Sequence, residues 1–124
     1  MTTKPHEGDG TFDVIGCAIR VSDALGCGFL ERVYETALLH ELRKCGFDAA
    51  AQVAFAVRYD GIVVGEYRAD LVVGNRIIVE VKSAKAIDPT HEAQLLNYLK
   101  ASGLPIGLIF NFGTPHLGIR RMVN

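Results

Sequence analysis

Between residues 11 and 25, Val14, Ala18, Val21 and Leu25 recur at helical spacing, and Thr11 stands where an N-cap is expected. Gly26-Cys27-Gly28 interrupts that pattern. A second helix is expected from near Phe29 to Cys45, with Leu30, Val33, Ala37, Leu38 and Leu42 as its apolar stripe and Gly46 as its stop. The period then shortens to two: Val53, Phe55, Val57 and Tyr59 alternate with small or polar residues, as in a half-buried strand. Asp60-Gly61 signals a tight turn. The chain returns from Ile62 to Val73, turns at Gly74-Asn75 and comes back as Arg76 to Ala84, a three-stranded antiparallel meander. Asp88-Pro89 reads as an N-cap followed by proline at the first helical position, and that helix runs to Gly103. "PIGLIFNF" suits a buried strand and "LGIRRMV" a final edge strand. The predicted order is α-α-β-β-β-α-β-β, a single α/β domain with a mixed sheet flanked by helices.

Composition narrows what this domain can be. At 124 residues, with 49% hydrophobic and 22% charged residues, a packed core is within reach and global disorder is not expected. No apolar run reaches the ~18 residues of a membrane span. The opening "MTTKPHEGDG" lacks the apolar core of a signal peptide and reads as a disordered lead over residues 1–10, ahead of a domain over residues 11–124. Cys17, Cys27 and Cys45 form no CxxC pair and have no metal-ligand spacing, which fits reduced thiols in a cytoplasmic protein. A net charge of -1 provides no broad basic field for nucleic acid, although positive charge could arrive with a bound metal ion.

Three charged residues sit inside the apolar hairpin "ADLVVGNRIIVEVKSAK": Asp70, Glu80 and Lys82. Burying a carboxylate costs several kcal/mol unless it is paired or binds a metal. Strand alternation places Glu80 and Lys82 on one face. Where Asp70 falls depends on register. A two-residue turn at Gly74-Asn75 pairs Asp70 with Val79 and points it away from Glu80; a three-residue loop or a bulge pairs Asp70 with Glu80. Two adjacent carboxylates repel unless a cation lies between them, and magnesium suits that need because it prefers oxygen ligands and keeps waters. Lys82 on the same face could help activate a metal-bound water and offset charge on a phosphate. The competing interpretation is a solvent-facing strand pair in which Lys82 bridges an acid.

Asp70, then Glu80-x-Lys82 ten residues on, resembles the PD-(D/E)XK nuclease superfamily. Within it, "GFLERVYETALLHEL", with Gly28, Glu31 and Tyr34, resembles the small bacterial GxxExxY family. The likeness continues through "QVAFAVRYDGIVVGEYRADLVV", "IIVEVKSAKAI", "HEAQLLNYLKASGLPIGLIFNFG" and "GIRR", and so covers nearly everything after residue 10. It departs in one place: Ala69, not proline, precedes Asp70. The resemblance implies a PD-(D/E)XK-like core. Asp70 and Glu80 then stand as metal ligands for Mg²⁺ or Mn²⁺, Lys82 as the catalytic lysine and Glu31 as a helix carboxylate. Gln94 and Tyr98 stand as the Gln-x-x-x-Tyr motif facing the site.

Each of these residues has an ordinary alternative. Glu31 could be a solvated helix acid, Glu35 could share the site one turn on or be solvated, and Gln94 with Tyr98 could be an amphipathic surface pair. Tyr34 reads better as packed beneath the site than as chemical. His91 reads as a helix-surface residue, and Arg120-Arg121 as charges that keep an edge strand soluble. Two functions compete. One is a metal-dependent nuclease acting on nucleic acid, with DNA the expected partner. The other is a non-catalytic binding or regulatory module on the same fold. Retention of Lys82 favours the enzyme; near-neutral charge and small size favour the module, or an enzyme that borrows its DNA contacts from a partner, and a chain this small could need a homodimer to hold a duplex.

Overall fold

The computed structural model describes residues 8–124. Residues 1–7, most of the expected disordered lead, lie outside the described residues. Two helices open the chain, α1 (Thr11–Leu25) and α2 (Glu31–Lys44), followed by strands β1 (Ala49–Tyr59), β2 (Ile62–Val73) and β3 (Ile77–Lys82). Helix α3 (Pro89–Ser102) and strands β4 (Ile106–Asn111) and β5 (Gly118–Val123) complete it. The sheet has order β1-β2-β3-β4-β5, antiparallel throughout except for β3 against β4. The α/β expectation and the antiparallel meander hold.

Local chemistry explains most boundaries. Asp60 and Gly61 both adopt positive φ (52° and 75°), the turn that joins Tyr59 to Ile62. Asp88 caps α3, accepting from Thr90 N and His91 N, while His91 Nδ1 accepts from Asp88 N; this capping box accounts for His91. Two boundaries differ from expectation. The N-cap of α1 is Gly10, at φ 87°, and Thr11 is the first helical residue, its N–H bonded to Asp9 Oδ1 at 2.9 Å. A carboxylate at the positive end of the helix does the work a Thr11 hydroxyl was expected to do. Helix α2 begins at Glu31, because Gly28 at φ 120° and extended Leu30 carry the chain in from the preceding turn.

The sheet has helices on both faces. Val14, Ala18, Leu38 and Leu42 of α1 and α2 pack with Leu71, Val79, Val81 and Phe110 on one face. Leu95 and Leu99 of α3 pack with Val72, Ile78 and Ile109 on the other. The β1–β2 ribbon changes sides partway along. Ala49, Ala51, Leu71 and Val73 join the α1/α2 core, whereas Val53, Phe55, Tyr67 and Ala69 join the α3 core. The change falls at Gln52 and Asp70, and Gln52 has φ 54°, which non-glycine residues rarely adopt within a strand.

Candidate active site

The 73–76 connection decides the site. Gly74 and Asn75 take positive φ (60° and 51°), Arg76 N donates to Val73 O at 3.1 Å, and Val73 pairs with Ile77. The loop is therefore Gly74-Asn75-Arg76, the three-residue form, and Leu71 faces Val79. One step further, Asp70 N donates to Glu80 Oε2 at 2.9 Å and Val81 N donates to Asp70 Oδ2 at 2.8 Å. Each carboxylate takes a backbone N–H from the opposite strand, so the two acids replace the ladder where the strands part. The Val79 pairing that would have separated them does not occur.

Glu80 is buried, 3% exposed, and burial together with the Asp70 carboxylate pushes its pKa up to about 8. Burial also raises the Asp70 pKa, and the Glu35 charge adds to it against the opposing bond from Val81. Two neighbouring carboxyls that burial holds away from ionisation form a natural seat for a cation. Among the described residues no three histidine, cysteine, aspartate or glutamate side chains are grouped to hold a metal by themselves. Asp70 and Glu80 are two adjacent carboxylates whose oxygens could serve a cation as donors. An oxygen-seeking ion that keeps several waters, such as Mg²⁺, fits such a pair.

Lys82 lies two residues beyond Glu80 on the α3 side of β3, and its Nζ donates to Gln94 Oε1 at 2.9 Å. Gln94 Nε2 in turn donates to the Tyr98 hydroxyl at 3.4 Å, at the outer limit of a hydrogen bond. Tyr98 packs edge-on against Tyr67, with ring centroids 5.3 Å apart. Burial, with the charges of Glu80 and Asp70, pushes the Tyr98 hydroxyl up to about 12, so the group that accepts from Gln94 is neutral. The structure thus gathers Asp70, Glu80, Lys82, Gln94 and Tyr98 around one end of the hairpin. Glu31 lies at its rim, where an exposed carboxylate accepts from Ser83 N at 3.3 Å, and it reaches Asp70 through longer-range charge.

Glu35, left open between site and solvent, is 8% exposed and accepts from Gln52 Nε2 at 3.0 Å. Its charge acts on both Asp70 and Glu80, and on Asp70 more strongly than that of Glu31. Gln52 was not singled out by any pattern in the sequence. Its backbone turn at the side change of the ribbon aims the side chain at Glu35, and Arg68 Nη1 holds its carbonyl at 3.0 Å. Asn111 is a second omission. It is 1% exposed, and its amide clamps Ala84, with Oδ1 accepting from Ala84 N at 2.9 Å and Nδ2 donating to Ala84 O at 3.0 Å. A Cβ on Gly113 would overlap the Ala84 backbone oxygen, so only glycine lets the 111–113 segment press against the chain just past Lys82. One asparagine within "LIFNF" was the signal for this clamp.

The remaining candidates are structural. Tyr34 is fully buried, donates to Gly26 O at 2.6 Å, accepts from Phe29 N at 3.1 Å and stacks on Phe112. Arg120 pairs with Glu92 and Arg121 with Asp9 on the exposed edge strand.

No curated protein matches the sequence. The crystal structure of SSO0001 superposes with a TM-score of 0.61 at 22% identity, over 76% of this chain and 50% of that one, a likeness of fold. This chain thus spans about half the length of that relative. The family model of the PD-(D/E)XK nuclease superfamily matches residues 9–122, a span that contains the parted hairpin, its lysine and all eight elements but for the last residue of β5. A fold of this order with two acids and a lysine at the break in its central hairpin has the family's form, and the chain belongs to the PD-(D/E)XK nuclease superfamily.

Proposed function

We propose that this domain is a metal-dependent nuclease of the GxxExxY type, hydrolysing phosphodiester bonds in nucleic acid, with DNA as substrate. The observation that carries the reading is the parted hairpin, in which the Glu80 carboxylate accepts from Asp70 N and the Asp70 carboxylate from Val81 N, both acids with raised pKa, beside Lys82. Superfamily nucleases generally use divalent metals, and Asp70 and Glu80 are the residues that would hold Mg²⁺ or Mn²⁺ here. Bound there, the ion would supply Lewis acidity that activates water and offsets phosphate charge.

The protein's own groups supply orientation. Lys82, aligned by Gln94, presents an ammonium where negative charge grows on the phosphate. Tyr98 steadies Gln94. Gln52 fixes Glu35 behind the pair, and Glu31 lines the outer rim. The same reading places the protein in the bacterial cytoplasm and gives a homodimer the task of spanning a duplex. No helix among the described residues is long and apolar enough to cross a membrane.

The test is a cleavage screen over single-stranded, duplex and branched DNA and RNA with Mg²⁺ or Mn²⁺, run beside thermal melts. Wild type should cleave at least one substrate, and metal should raise its Tm. Asp70→Asn should lose both responses. Lys82→Ala should keep the metal-induced Tm rise while cleavage falls about 10²–10³-fold, the range for loss of a transition-state charge stabiliser. A metal response without cleavage of any substrate would identify a binding or regulatory module, and no metal response would leave a structural hairpin.

A further inference from the structure

Away from the hairpin, two sulfurs meet on one nitrogen. Cys17 is buried on α1, and Cys45 caps the C-terminal end of α2. Arg20 Nη2 donates to Cys17 Sγ at 3.3 Å and to Cys45 Sγ at 3.0 Å. Sulfurs that share one donor are neighbours, and they interact: burial first, then hydrogen bonding and charge from Cys45, push the Cys17 thiol up to about 12. Arg20 is itself held, its Nε donating to Glu41 Oε2 at 2.8 Å, and Cys45 Sγ reaches the same oxygen at 3.9 Å. A cleft of about 200 Å³ lined by Phe12, Asp13, Gly16, Cys17, Arg20 and Cys45 opens the cluster to small solutes.

The guanidinium decides what such a cluster can bind. A fixed cation beside both sulfurs repels a metal ion, which argues against a thiolate metal site. It favours chemistry in which negative charge builds on sulfur as that sulfur attacks an electrophile. Cys45 is half-buried and reachable, whereas Cys17 is sealed in the core and remains a thiol.

We propose that Cys17 and Cys45 form an oxidisable dithiol site, which reacts with a small hydroperoxide and closes to a disulfide joining α1 to the end of α2. In the first step the Cys45 sulfur attacks the terminal peroxide oxygen. The S–O bond forms, the O–O bond breaks, the peroxide is reduced to water or an alcohol, and Cys45 becomes a sulfenic acid. In the second step the Cys17 sulfur attacks that of Cys45. The S–S bond forms, the S–O bond breaks, and the oxygen leaves as water with the Cys17 proton. The two thiols together lose two electrons and two protons to one peroxide.

The experiment treats full-length Cys27→Ser protein, which lacks the exposed third thiol, with one equivalent of hydrogen peroxide. Free thiols are then alkylated, and intact masses and non-reduced peptides are read. Closure lowers the mass by about 2 Da, restored by dithiothreitol, with the peptides of residues 17 and 45 linked. Closure should be faster in the folded chain than in concentrated urea, and several-fold slower in Arg20→Met. Cys45→Ser, a change at a half-exposed position, should show no mass loss. Cys17→Ala should leave a Cys45 sulfenic acid that a cyclic dione traps. The proposal is overturned if Cys45 passes to sulfinic acid while Cys17 stays alkylatable. It is equally overturned if the link forms no faster in the folded chain than in urea, or if Arg20→Met closes at the wild-type rate.

Discussion

Replacing Glu80 by glutamine separates the charge of the buried pair from its shape. Glutamine keeps an oxygen to accept from Asp70 N–H and deletes an ionisation that burial and Asp70 push from 4.5 up to about 8. Because the folded-state value lies above the unfolded one, the folded chain holds more protons than the unfolded chain between those two values. The stability this contributes is complete below the unfolded value, falls as pH rises toward the folded one, and stays lost above it. Inside the window the slope approaches about 1.4 kcal/mol per pH unit, so moving from ~pH 5.5 to ~pH 7.5 should cost wild type about 3 kcal/mol relative to the variant. At roughly 4 °C per kcal/mol for a domain of this size, the Tm difference between the two proteins should change by about 10 °C. Melts of both proteins in EDTA at closely spaced pH values read this difference directly. Parallel curves for wild type and Glu80→Gln would refute the raised ionisation. On the proposed function magnesium displaces the same proton, so its Tm increment in wild type should grow with pH through this window and vanish in the variant.

Two further outcomes follow from the residues around the pair. Asn111→Ala strips Ala84 of both amide partners and should cost about 2–4 kcal/mol in urea unfolding, at the summed penalty for two unpaired backbone groups. It should also lower cleavage more than metal binding, since Lys82 lies on the loosened segment; a variant as stable as wild type would sink the clamp. Gln52→Asn keeps a side chain tolerant of positive φ but shortens it by one methylene, so it can no longer hold Glu35. Stability should stay within about 1 kcal/mol while the magnesium midpoint for the Tm rise moves to higher concentration. An unmoved midpoint would show that Glu35 does not serve the pair.

Most of the scaffold was legible because its signals are local. Asp60-Gly61 and Gly74-Asn75 supply positive φ where turns need it, and Asp88-Pro89 starts α3 through its own cap. The helical and two-residue periods of the chain place α1, α2 and the meander within a few residues of their observed ends. Family resemblance raised Asp70, Glu80, Lys82, Gln94 and Tyr98 above their ordinary alternatives, and all five lie together. What remained open was settled by the folded geometry. Asp70 meets Glu80 because Arg76 joins the loop, a register on which spacing alone was silent. Glu35 rather than Glu31 sits deep behind the pair because packing on the sheet fixes the rotation of α2, and two acids four apart look alike until that rotation is known. Gln52, Asn111 and the Cys17–Arg20–Cys45 cluster left almost no local trace. Their roles come from what faces them across strands and helices: burial assigns a cost to a polar group only once its neighbours are in place.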